Sequence, residues 1–149
     1  MKNLGLVLET FSARSKESSL PRPKVENLNL IENYGIEFDK FAGKKLDQTV
    51  MIVGLKSYEI AKDYGVDLAY GSLGENILLD FNPHDFEVST KFQIGEAIIE
   101  ITQVCTVCSH LNVFDENLPN LLRNQRGVYC KIIKSGKITK GMQVKEIVC

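Results

Sequence analysis

Turn residues are spread along this whole chain, and between them no long helical pattern survives. What remains is a series of short, β-rich apolar runs. Leu4, Leu6 and Leu8 alternate with Gly5, Val7 and Glu9, the period of a strand. Phe11 to Lys24 is a polar loop carrying Ser12, Ser15, Ser18, Ser19, Pro21 and Pro23. Leu28, Leu30 and Ile31 suit a second short strand, and Tyr34 to Lys45, punctuated by Gly35 and Gly43, reads as irregular. Thr49 to Val53 is a β-rich run bounded by Gly54. One helix is predicted, with Leu55, Tyr58, Ile60, Ala61 and Tyr64 on one face and Gly65 to end it.

Further strands are predicted over Asn76 to Asp80, Phe92 to Ala97 and Ala97 to Val104, with a turn at Asn82-Pro83-His84. Leu118 to Arg123 suits one or two helical turns. Val128 to Ile133 and Gln143 to Val148 flank turns at Ser135-Gly136 and Lys140-Gly141, which predicts a closing antiparallel pair. The 128–133 run carries apolar residues on both faces (Val128, Cys130 and Ile132; Tyr129 and Ile133), so one face fills an interior and the other lies under a loop or the helix. Many short strands with one helix predict a mostly β domain, a closed β-barrel or strongly curved sheet with one or two short helices. At 149 residues, with 44% hydrophobic and 25% charged residues, a single domain over residues 1–149 is expected.

Lys plus Arg is 18 and Asp plus Glu is 19, a net charge of −1. That balance argues against a nucleic-acid partner, whose affinity rests on neutralised phosphates. It also gives no attraction to an anionic membrane. No apolar run of about 20 residues is present to span a bilayer, and no convincing leader opens the chain. The expected compartment is the cytoplasm, where Cys105, Cys108, Cys130 and Cys149 would be thiols.

The stretch richest in reactive side chains is Thr102 to Leu111, which contains Cys105, Cys108 and His110. Four readings compete there. Cys105 and Cys108 have the C-x-x-C spacing of a redox pair, although no helix pattern follows to lower a thiol pKa. All four cysteines could make a thiolate zinc site, although the second pair is widely spaced. Cys130 reads most simply as a small buried core residue and Cys149 as a terminal thiol, with His110 and His84 in local roles. Finally, Cys108 could be a single functional thiolate at a pocket, as a soft metal ligand or a sulfur carrier. Spacing does not choose among them.

A wider succession of motifs does. Gly71-Ser72-Leu73-Gly74-Glu75-Asn76-Ile77 is followed by Ile94-Gly95-Glu96-Ala97 and Glu100-Ile101-Thr102-Gln103. Then come Cys108 with Leu111, Arg126-Gly127-Val128-Tyr129-Cys130, and Gly136-Lys137-Ile138 with Gly141-Met142-Gln143-Val144. Upstream stands Gly35-Ile36-Glu37-Phe38-Asp39-Lys40-Phe41-Ala42-Gly43. This order resembles the molybdenum-cofactor sulfurase C-terminal (MOSC) domain family, from about Leu4 to Val148. The resemblance implies a MOSC-type β-barrel that binds a molybdenum cofactor (molybdopterin) or handles sulfur destined for it. It places the family's thiol, a molybdenum ligand in metal-holding relatives, at Cys108. It further implies cofactor-facing roles for Asn76, Gly74 and Glu75, for Arg126 and Gly127, and for Asp39. The chain departs from the family at Phe38 and Phe41, where glycine and histidine are usual, and at Val104 to Val107, where proline and arginine are common. Lys40, Lys44, Lys45, Arg14 or Arg22 are candidates to replace that arginine.

Three functions follow as expectations. One is a cofactor-dependent reductase of N-oxygenated compounds, with Cys108 on molybdenum and electrons from a separate donor protein. The second is a sulfur-transfer module carrying a persulfide on Cys108, fed by a sulfur donor protein. The third is a non-catalytic cofactor carrier or sensor. On all three, Asn76 lines the ligand pocket, and Asn76→Ala is expected to weaken retention at little cost in stability.

Overall fold

The computed structural model describes residues 1–14, 19–106 and 109–148. Cys108 and Cys149, and part of the serine-rich loop, lie outside the described residues. Among the described residues, ten strands and two short α-helices follow one another. Strand β1 spans Lys2–Thr10, β2 Asn27–Ile31, β3 Gly35–Ile36 and β4 Val50–Gly54. Helix α1 spans Leu55–Asp63, and β5, β6 and β7 span Ile77–Leu79, Lys91–Ile94 and Ala97–Val104. Helix α2 is Leu118–Leu121, and β8, β9 and β10 are Val128–Lys134, Gly136–Thr139 and Gln143–Glu146.

Seven strands close a barrel in the order β1-β10-β6-β7-β8-β4-β5, with β5 returning to β1. All its pairings are antiparallel except β4 with β5. A second sheet, β3-β2-β9, completes the fold. The mostly β, closed-barrel expectation is therefore met.

Period-2 alternation explains which residues fill the barrel. Val50 and Ile52 of β4, Ile77 and Leu79 of β5, and Val128, Cys130 and Ile132 of β8 join one buried core. Their neighbours Met51, Val53 and Leu78 face outward into a second core with Tyr58 and Ala61 of α1 and Leu118 of α2. Strands β4 and β5 are apolar on both faces because the helices cover the outer one.

Helix α1 forms where the 3.6-residue pattern predicts, and Gly65 follows its last turn, donating its N–H to the Lys62 carbonyl at 2.9 Å. Its buried residues are Ser57, Tyr58 and Ala61, whereas Tyr64 is exposed, so the apolar face is narrower than its sequence implies.

The predicted closing pair is corrected. Strand β8 pairs with β4 and β7, while β10 pairs with β1 and β6. Between them the turn expected at Ser135-Gly136 gives way to strand β9, which leaves the barrel to pair with β2, while Lys140-Gly141 is a turn as expected. Gly136 makes this crossing possible. A Cβ there would lie 2.4 Å from the Ala97 amide nitrogen, closer than any side chain tolerates.

Candidate functional site

A cavity of about 400 Å³ opens against the outer face of the barrel. Its floor is a row across three adjacent strands. Asn76 stands immediately before β5, Met51 is on β4 and Tyr129 is on β8, opposite Met51. Loops from four distant parts of the chain wall it. They bring Arg22, the segment from Asp39 to Thr49, Gly74, and His110 with Arg126.

The charge of the cavity is lopsided. Arg22, Lys44, Lys45 and Arg126 line it, against the single carboxylate of Asp39. The chain as a whole carries a net charge of −1, so the excess is local. Neighbouring groups register that field. Desolvation lowers the Arg22 pKa, and Arg126 lowers it further while Asp39 opposes the fall. Desolvation and Arg22 likewise lower Lys40. Partial desolvation, with the Arg126 and Arg22 guanidiniums, holds His110 below its ordinary value. Arg22 remains charged despite this, since a guanidinium does not lose its proton in proteins.

Asp39 is itself a brace. It is buried, and its Oδ1 accepts from the Ser12 hydroxyl at 2.7 Å and the Ala13 N–H at 3.1 Å. Its Oδ2 accepts from the Phe41 N–H at 3.0 Å, which fixes the turn after β3. Phe41 lies at the cavity wall with Arg22 5.4 Å and Lys40 5.2 Å from its ring centroid, a cation–π arrangement. Phe38, held at φ 69°, is exposed under Arg14 at 5.9 Å.

Asn76 lines the cavity, but both ends of its amide are engaged. Oδ1 accepts from the Met51 N–H at 2.9 Å, and Nδ2 donates to the Phe11 carbonyl at 3.2 Å. The side chain ties β4 to the end of β1, so the expectation that Asn76→Ala spares stability is revised. Arg126 is almost fully buried, and its Nε donates to the Leu73 carbonyl at 2.8 Å. Gly74, at φ 86°, leaves the space this guanidinium uses: a Cβ there would lie 3.0 Å from Arg126 Nη2.

Glu75 and Gly127 are not among the residues that line the cavity. Glu75 points into the second core, where its Oε2 accepts from the Tyr58 hydroxyl at 2.6 Å. Gly127 packs under β4, with no room for a Cβ against Val53 and Met51, and its carbonyl accepts from the Cys105 N–H at 3.0 Å. Cys130 is buried in the barrel interior, and burial pushes its thiol pKa up. Cys105 is buried too, with its Sγ 3.6 Å from the Tyr129 hydroxyl. Cys108, the predicted functional thiol, lies outside the described residues. Among the described residues, no three His, Cys, Asp or Glu side chains gather where they could hold a metal ion. No helix among them is long and apolar enough to cross a membrane.

A family model for the MOSC domain matches residues 38–145, more than two thirds of the chain. The chain belongs to the MOSC domain family. That family is associated with molybdenum-cofactor binding. Solved structures repeat the fold at low identity. YuaD protein from Bacillus subtilis matches with a TM-score of 0.83 at 14% identity, covering 97% of each chain. YiiM from Escherichia coli matches with a TM-score of 0.75 at 18% identity, over 98% of this chain and 71% of that one. YiiM from Geobacillus stearothermophilus matches with a TM-score of 0.71 at 16% identity, over 99% and 75%. No curated protein sequence matches this chain.

Sequence reasoning named the cavity's Asp39, Gly74, Asn76 and Arg126 and offered Arg22, Lys44 and Lys45 among five alternatives. It missed His110, Gln48, Thr49 and Tyr129 as cavity residues. Tyr129 carried a signal: it is a polar-tipped aromatic on the outer face of a strand whose other face is wholly apolar.

Proposed function

We propose that this cavity binds a molybdenum cofactor of the molybdopterin type and that the chain is the binding component of a cofactor-dependent reductase acting on N-oxygenated compounds. The observation that carries this reading is the concentration of four cationic side chains around one braced carboxylate in a concave site of small-molecule size. The donor set suits the ligand. A terminal phosphate is best held by guanidiniums and ammoniums, of which Arg126 is pre-set by burial and Arg22 is half-buried. Tyr129, Gln48 and Thr49 offer hydrogen bonds to a polar heterocycle.

When bound, such a cofactor supplies a two-electron centre able to accept oxygen from an N–O bond. Balance then requires two electrons and two protons for each water released, the electrons coming from a separate donor protein. The chain's own residues would hold the group: Arg22 and Arg126 the phosphate, Tyr129, Gln48 and Thr49 the heterocycle, and Cys108 would supply a thiolate ligand for molybdenum. The sulfur-transfer reading differs only in what Cys108 carries, and the carrier reading in having no turnover.

The test is metal and pterin content after expression in a cofactor-competent host. Stoichiometric molybdenum and pterin, lost in Cys108→Ser and Arg126→Ala but retained in Cys130→Ser, support the reading. Cyanide-labile sulfur on Cys108 without molybdenum would replace it with sulfur transfer. Stoichiometric zinc lost in all four cysteine variants would replace it with a structural metal site.

A further inference from the structure

Behind the cavity, on the far side of the Gly71–Gly74 loop, sits a polar pair with no part in binding so far. Tyr58 and Glu75 are both buried within the second core. Such groups are costly to bury unless hydrogen bonds satisfy them. Here the bonds converge on the loop. The Tyr58 hydroxyl donates to Glu75 Oε2 at 2.6 Å and accepts from the Gly71 N–H at 3.0 Å and the Leu73 N–H at 3.4 Å. Gly71 N–H also reaches Glu75 Oε2 at 3.3 Å. The inner face of the loop is thus fastened to α1.

Its outer face holds the cavity's arginines. The Gly71 carbonyl accepts from the Arg22 backbone N–H at 2.9 Å, and the Leu73 carbonyl accepts from Arg126 Nε at 2.8 Å. The same two peptide residues therefore receive the pair on one side and present the arginines on the other. Lysines 44 and 45 come from another segment and share none of these bonds.

We propose that Tyr58 and Glu75 form a positioning pair that sets Arg22 and Arg126 for anion binding, acting through the backbone of Gly71 and Leu73. The proposal rests on the reading of the cavity as a phosphate site, and neither residue touches the ligand. Burial raises the Glu75 pKa, and among the described residues its Oε1 has no hydrogen-bond partner. Tyr58→Phe would take the hydroxyl acceptor from the Leu73 N–H and leave the Gly71 N–H only its longer bond to Glu75 Oε2, freeing the loop to shift, so the fastening is directional and not a matter of volume.

Inorganic phosphate is the probe, titrated by calorimetry well below the melting temperature. Phenylglyoxal modification of individual arginines, followed by mass spectrometry, gives a readout that needs no ligand. Tyr58→Phe is expected to weaken phosphate binding about five- to tenfold and to speed Arg126 modification by a similar factor. Glu75→Gln, which keeps an acceptor for the Tyr58 hydroxyl, is expected to stay within about twofold of wild type on both readouts. Val144→Ala, inside the barrel far from the loop, controls for general loosening. A Tyr58→Phe protein that melts lower but matches wild type on both readouts overturns the proposal. So does a Val144→Ala protein with equal effects at equal loss of melting temperature. Faster Arg126 modification in Tyr58→Phe, in a protein whose wild type binds no phosphate, sustains the positioning role and overturns the phosphate reading instead.

Discussion

At the scale of single residues, the site is made of groups already committed to the backbone. Asn76 is the clearest case. Its amide answers the Met51 N–H and the Phe11 carbonyl, so Asn76→Ala strands both and should cost about 1–3 kcal/mol of stability, read by denaturant unfolding. A loss near zero would mean that water replaces the side chain from the cavity. Glu75 gives a pH signature. Burial holds its folded pKa above that of the unfolded chain, so the native state keeps the proton longer. Its contribution is therefore fully present below the unfolded value of about 4.3 and is lost as pH rises through the folded value. Its charged and polar neighbours are the Tyr58 hydroxyl and, across the loop, Arg22. Melting curves of Glu75→Gln against pH should lack that decline. Identical pH profiles for the two proteins would mean that Glu75 is ionised in the fold. The Asn76 and Glu75 roles were only half legible in the sequence. The Gly-Glu-Asn motif marks a special turn, yet which side chain faces the cavity depends on where α1 supplies a partner.

At the scale of elements, the sequence shows most of the strands and little of their pairing. The period-2 runs of β4, β7 and β8 and the helical pattern of α1 are legible because each buries a continuous face. Strand β9 is not, since four residues with one buried side chain, Ile138, leave no periodicity to detect. Missing it makes β8 and β10 look like a hairpin, whereas the barrel places β7 and β6 between them. The physical signal was Gly136. It stands at the close crossing of β8 and β9 over Ala97, where a turn glycine and a packing glycine look the same in sequence. Gly136→Ala should accordingly destabilise the fold by about 1–3 kcal/mol, as overpacking against backbone does. Gly141→Ala, with open space around the added methyl, tests the local turn instead. A melting temperature unchanged by Gly136→Ala would show that β9 can move away from Ala97 at no cost.

At the scale of the whole molecule, a near-neutral chain carries a positive cavity, and that separation is the property that sequence arithmetic hides. Net charge of −1 excludes a strong general attraction to polyanions but says nothing of four cations gathered from residues 22, 44, 45 and 126. Only the barrel topology brings those positions together. Elsewhere several lysines are matched: Glu9 lies within 4 Å of Lys24 and Lys140, and Glu100 lies within 4 Å of Lys91 and Lys131. The cavity's electrostatics should therefore be felt at short range and screened by salt to different degrees at its rim and its floor. Lys44 and Lys45 are exposed, so their contribution fades as the screening length falls from about 10 Å at 0.1 M salt to about 3 Å at 1 M. Arg126 is buried and acts through a directional, charge-assisted contact that salt weakens less. Phosphate affinity of the wild type should drop about three- to tenfold across that range of salt. Replacing both Lys44 and Lys45 by Gln should flatten the dependence while leaving high-salt affinity nearly unchanged. Arg126→Gln should lower affinity at every salt concentration and preserve the slope. Wild-type phosphate binding that ignores salt would mean that the cations add no long-range attraction and serve the fold, which would remove the electrostatic basis for a phosphate-bearing cofactor.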